Sequence, residues 1–136
     1  MKPGTYTSCI LEHKRSIVDR WEVDLGFIVP WLSELDVDSH EQVMAALAAL
    51  AVDGPALGRP FADRIRGSAF ANMKELRPGS AGASELRVLF AFDPRRRAVM
   101  LVGGDKRGQW DEWYRVNIPR ADRLFREHLR GLEEGK

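Results

Sequence analysis

Residues 72–108 read NMKELRPGSAGASELRVLFAFDPRRRAVMLVGGDKRG, a stretch patterned as strands and turns. Three short runs rich in strand-forming residues are separated by turn residues at PGSAGAS and PRR. With DRIRGS upstream they make four consecutive strand candidates. Connections this short join antiparallel neighbours, because a parallel crossover needs about a dozen residues or more. In ELRVLFAF, residues 85–92, the period of two puts Leu86, Val88, Phe90 and Phe92 on one face and Glu85, Arg87, Leu89 and Ala91 on the other. The pattern predicts a meander with one face buried under helices and the other partly polar.

The rest of the chain supplies the cover. Upstream, RWEVDL (20–25) alternates Trp21, Val23 and Leu25 against Glu22 and Asp24, a half-buried strand. VPWLSEL (29–35) has Pro30 in a first turn and Ile28, Trp31, Leu32 and Leu35 at helical spacing. DSHEQVMAALAALAVDG (38–54) is the clearest helix: Ser39 and Gln42 read as a capping box, Val43, Met44, Leu47 and Leu50 as its apolar face, and Gly54-Pro55 as its stop. Downstream, GQWDEWYRVNIPRADRLFREHLRG (108–131) splits at Pro119 into a short first element with Trp110, Trp113 and Tyr114 and a final helix closed by Gly131. The chain of 136 residues is the size of one domain, 1–136, with residues 1–18 as a loose N-terminal segment.

Composition narrows the class. No apolar run approaches the ~18 residues that span a bilayer, and the N-terminus lacks the apolar stretch of a signal peptide, so the cytoplasm is the expected compartment and no membrane the expected partner. The single cysteine, Cys9, has no disulfide partner and reads as a minor thiol. No His, Cys, Asp or Glu spacing fits a zinc site, GDKRG is too short for a phosphate-binding loop, and VGGD reads as a strand end or bulge. Neither a metal nor a nucleotide cofactor is expected.

The net charge of +1 hides an asymmetry. Residues 1–58 carry four basic and nine acidic side chains, residues 59–107 eleven and five, and residues 108–136 six of each. The middle segment is therefore a candidate footprint for a polyanion, set against the plainer reading of a solvated surface. A strand ladder bearing Lys74, Arg77, Arg87 and Lys106, with aromatics soon after, suits a surface that grips phosphates and stacks bases. RNA cleavage needs a base for the 2′-hydroxyl, cations for the phosphorane charge and an acid for the leaving 5′-oxygen. Histidine is the usual proton carrier, but His13, His40 and His128 all lie outside this segment. Lysine among other cations is the alternative, because neighbouring positive charge lowers its pKa, and arginine serves as the phosphate clamp.

Plainer readings stand beside these. Lys74 and Arg77 equally suit a protected edge strand, Arg95 and Arg96 a solvated hairpin tip, Trp110 and Trp113 the core, and His128 a core or capping position. Tyr114 suits core and site alike. Alternation also sets Lys74 on one face of its strand and Glu75 and Arg77 on the other, so Lys74 and Arg77 converge only where the strand breaks before Pro78.

The ordered combination NMKELR, RVLFAFDP, LVGGDK, WY and IPRA resembles the HigB/phage Gp49-like branch of the RelE/ParE toxin superfamily, over about residues 21–129. The resemblance implies a compact RelE-like α+β fold: an antiparallel-dominated sheet of four to five strands, N-terminal helices packed on one face, and a C-terminal helix. It further implies a ribosome-dependent mRNA endoribonuclease, an mRNA interferase that cuts without a metal and is neutralised by a HigA-like helix-turn-helix antitoxin. Its catalytic set would be Lys74, Arg77, Arg87 and Lys106, with Tyr114 as the C-terminal aromatic. Arg87 and Arg77 would grip the scissile phosphate, and Lys74 or Lys106 would assist proton transfer. Two other functions fit the same fold: a ParE-like inhibitor of DNA gyrase that cleaves nothing, and an inactive antitoxin-binding subunit.

Overall fold

Ala62–Arg64 (β3), Lys74–Leu76 (β4), Leu86–Phe92 (β5) and Arg97–Asp105 (β6) form the expected antiparallel meander in the computed structural model, which describes residues 16–79, 82 and 84–135. Cys9 and His13 lie outside the described residues. Two further strands, Ser16–Val18 (β1) and Glu22–Asp24 (β2), pair with each other and extend the sheet beyond β6. Among the described residues the sheet therefore has six strands, in the order β1-β2-β6-β5-β4-β3. The sixth comes from the segment expected to be loose, where Ile17 is 5% exposed and pairs with Val23. The β2–β6 pair is parallel, a pairing between strands too far apart in sequence for turn lengths to indicate.

Helices cover both faces. Val29–Ser33 (α1) and Val37–Asp53 (α2) pack with Val23, Leu76, Val88, Phe90, Ala98 and Met100 in one apolar cluster. Asp111–Glu133 (α3) lies on the opposite face, where Trp113, Ile118, Ala121 and Phe125 join Met73, Leu89, Ala91, Val99, Leu101 and Val102. The face expected to be partly polar is thus a second core, polar only toward the Arg87 end of β5. A bulge enables this: Leu89 pairs with Val102 but Phe90 with Met100, so the extra residue Leu101 and its neighbour Val102 both belong to the α3 side.

Gly103 and Gly104 fall in the last three residues of β6, which stops at Asp105, so VGGD is the strand end expected. They lie where two indoles press on the sheet, Trp31 against Gly103 and Trp113 against Gly104, and a Cβ at either position would collide with the ring. Gly54 ends α2 at a φ of +57° and likewise leaves room for the Trp21 ring.

Two helix boundaries differ from expectation. α2 starts at Val37, capped by Asp36, whose carboxylate accepts the Ser39 amide at 3.1 Å, so Ser39 sits inside the first turn. α3 runs unbroken through Pro119 and past Gly131. An interior proline costs about 3 kcal/mol, whereas each large apolar side chain buried returns roughly 1.5–3 kcal/mol. Trp113, Ile118 and Phe125 are all buried, and Pro119 is on the exposed side, so packing wins.

Candidate active site

The hairpin β5–β6 sets the geometry. Arg87 pairs with Gly104 near its open end, and Leu76 pairs with Val88, so Arg77, the residue after β4, lands beside Arg87. Lys106 follows β6 and donates its amide to the Glu85 carbonyl at 3.0 Å. Tyr114 stands in the first turn of α3. Four side chains from four different places in the sequence therefore meet at one corner of the α3 face.

A carboxylate joins them. Glu75, 2% exposed, accepts the Arg77 Nε at 2.8 Å on Oε2 and the Tyr114 hydroxyl at 2.6 Å on Oε1. Arg77 also stands 3.4 Å from Asp63. Arg87 has its Nε 3.7 Å from Glu75 Oε1 and its NH2 3.9 Å from Glu85 Oε1, while NH1 donates to the Leu86 carbonyl at 2.8 Å. The Nε is buried and has no hydrogen-bond partner among the described residues. Lys106 Nζ lies 3.7 Å from Glu85 Oε1 and 5.6 Å from the Tyr114 ring.

These contacts fix protonation. Burial, then the hydrogen bond and charge of Glu75, push the Tyr114 phenol up to about 12, against the lowering effect of Arg87. The phenol is a hydrogen donor at neutral pH. Burial weighs against the Arg77 charge, but Glu75 and Asp63 outweigh it and hold its pKa above the ordinary arginine value.

Lys74 does not join this group. It points to the α1–α2 side, where its Nζ donates to the Pro55 carbonyl at 3.3 Å and lies 5.9 Å from the Phe92 ring. Strand alternation holds, and Lys74 and Arg77 end on opposite sides of the sheet. Arg95–Arg97 sit at the far end of the hairpin, Arg96 over the Trp21 ring and Arg97 paired with Asp93 at 3.1 Å. Asp93 also receives His128 Nε2 at 2.8 Å, so His128 ties α3 to the hairpin turn. Among the described residues no three His, Cys, Asp or Glu side chains are placed to hold a metal ion, and no helix is long and apolar enough to cross a membrane.

The model of the phage-derived Gp49-like family matches residues 30–126, most of the chain. The sequence is 47% identical to "Putative toxin HigB2" of Mycobacterium tuberculosis over 136 residues, covering 98% of this chain and 68% of that protein. The chain belongs to the HigB/Gp49-like toxin family. A second relative, "Putative toxin HigB3" of the same organism, is 52% identical over 92 residues, covering 68% of this chain and 78% of its own. No solved structure matches.

In this HigB/Gp49-like chain, sequence reasoning missed three members of the corner. Glu75 is the hub, and its signal was legible: alternation places it on the face of Met73 and Arg77, where a charge inside a strand must find partners. Glu85 pairs with Arg87 and Lys106 from the strand's entry. Trp110, read as core, is 54% exposed, whereas Trp113 is core at 4%. A groove of about 560 Å³ lined by Arg66, Gly67, Arg115, Ile118 and Pro119 adjoins the corner and shares Tyr114 with it.

Proposed function

We propose that the protein is a toxin of a toxin–antitoxin pair that cleaves ribosome-bound mRNA without a metal, with Arg77, Arg87, Lys106 and Tyr114 as its working side chains. The observation that carries this reading is the convergence of two guanidiniums, an ammonium and a phenol on one corner, together with the incompletely bonded state of Arg87. A cut begins when the 2′-hydroxyl loses its proton and its oxygen attacks the adjacent phosphorus. The 5′-oxygen then leaves with a proton, giving a 2′,3′-cyclic phosphate and a 5′-hydroxyl. Extra negative charge appears on the phosphorane oxygens between these events, and preorganised cations stabilise it.

Arg87 and Arg77 supply that charge. Glu75 holds Arg77 through Nε and NH2, both at 2.8 Å, so its guanidinium is oriented before substrate arrives. The raised pKa of Tyr114 suits it to donate a hydrogen bond or proton, not to take one. Lys106 adds a third cation near the same phosphate. Lys74, on the opposite side of the sheet, is left out of this set. A HigA-like antitoxin with a helix-turn-helix DNA-binding domain is the proposed neutralising partner, and the cytoplasm the proposed site of action.

Induced expression tests the reading. The expected result is arrest of translation with new RNA 5′ ends inside translated codons. Arrest with intact messages and broken chromosomal DNA would instead favour gyrase inhibition.

A further inference from the structure

Trp110 is the most exposed aromatic side chain among the described residues, at 54%. It is also held in an unusual backbone conformation, φ 42° and ψ −114°, which residues with a side chain rarely adopt. The Lys106 carbonyl fastens this turn by accepting the amides of Gln109 at 2.9 Å and Trp110 at 3.0 Å. The Lys106 ammonium then backs the indole at 4.2 Å from the ring centroid. One lysine, itself only 8% exposed, thus presents Trp110 through both its backbone and its side chain. The same ammonium reaches Glu85 and the Tyr114 ring, so the exposed indole is the outer neighbour of the cation corner.

A buried cation under an exposed, constrained indole does little for the core, since the ring leaves most of its apolar surface in water. It matches what single-stranded RNA needs beside a phosphate clamp: a flat apolar face for a base, with positive charge next to it for the backbone. We propose that Trp110 is a stacking platform for a nucleobase flanking the scissile phosphate, the base lying on the indole face that Lys106 does not cover. The inference rests on the ribonuclease reading of the adjoining corner and adds a subsite to it.

The test is single-turnover cleavage of ribosome-bound mRNA by the purified protein and by Trp110→Ala and Trp110→Phe, on messages with an abasic nucleotide placed in turn on either side of the cut. Stacking on an aromatic side chain predicts that Trp110→Ala loses about 5- to 150-fold in kcat/KM and that Trp110→Phe recovers most of it. One of the two abasic messages costs the wild-type protein a similar factor and costs Trp110→Ala nothing further. Equal abasic penalties in both proteins, or full activity of Trp110→Ala, would overturn the stacking role while leaving the cation corner intact. Full cleavage by Trp110→Ala with weakened antitoxin binding would overturn it in favour of a protein contact. A wild-type protein that leaves every message whole would overturn the ribonuclease reading, and the subsite with it.

Discussion

Glu75 organises the corner one atom at a time: Oε2 takes Arg77, Oε1 takes Tyr114, and Arg87 stands just beyond hydrogen-bond reach. This arrangement makes a pH prediction. Because the Tyr114 pKa is raised in the folded protein to about 12 from 10.0, its contribution to stability is complete below pH 10 and is lost as pH rises through about 12. Glu75→Gln removes the charge but not the burial, so the Tyr114 pKa should fall and remain above 10.0. The chain has two tyrosines, Tyr6 and Tyr114, so spectroscopic titration in a Tyr6→Phe background reads Tyr114 alone. An unchanged midpoint in Glu75→Gln would separate the phenol from the carboxylate. At this scale the sequence was half legible. Arg77 and Arg87 follow from strand alternation and register, whereas the exposure of Trp110 depends on a φ value that no local pattern encodes.

Among elements, β6 carries the most tertiary information. Its bulge at Leu101 turns two consecutive residues to the α3 side, and its paired glycines admit one indole on each face of the sheet. Gly103→Ala would drive a Cβ into the ring of Trp31, a partly buried side chain of α1 packed against the core on that face. Overpacking of this kind costs about 1–3 kcal/mol, so a thermal melt should show Gly103→Ala clearly destabilised. A melting temperature equal to the wild-type value would mean that the ring is not fixed there. The same element explains what the sequence hid. Two glycines before an aspartate read as a strand end, which they are, but the indoles they accommodate come from helices on either side of the sheet and leave no local mark. α3 is the complementary case: proline's local penalty was legible, while the apolar stripe that overrides it becomes decisive only against a second core.

Across the whole molecule, the basic middle segment is one block in sequence but not one patch in space. The β5–β6 hairpin carries Arg87 and Lys106 at its open end and Arg95–Arg97 at its turn. Six residues of strand set them roughly 20 Å apart. Lys74 faces the N-terminal helices, and Arg97 is neutralised by Asp93. The antiparallel meander and its helical layer followed from periodicity and turn chemistry. The parallel β2–β6 pair and the α3 layer did not, since both depend on contacts between distant parts of the chain. What topology concentrates is the corner of Arg77, Arg87, Lys106 and Tyr114, where the buried Arg87 Nε has no hydrogen-bond partner among the described residues. The direct test is the single-turnover rate of Arg87→Ala on ribosome-bound mRNA, beside the wild-type protein at matched melting temperature. By analogy with removing one oxyanion donor, about 2.7–4 kcal/mol, the expected result is wild-type cuts ending in 2′,3′-cyclic phosphate and a rate for Arg87→Ala lower by roughly 100- to 1,000-fold. A folded Arg87→Ala protein that cuts at the wild-type rate would contradict it.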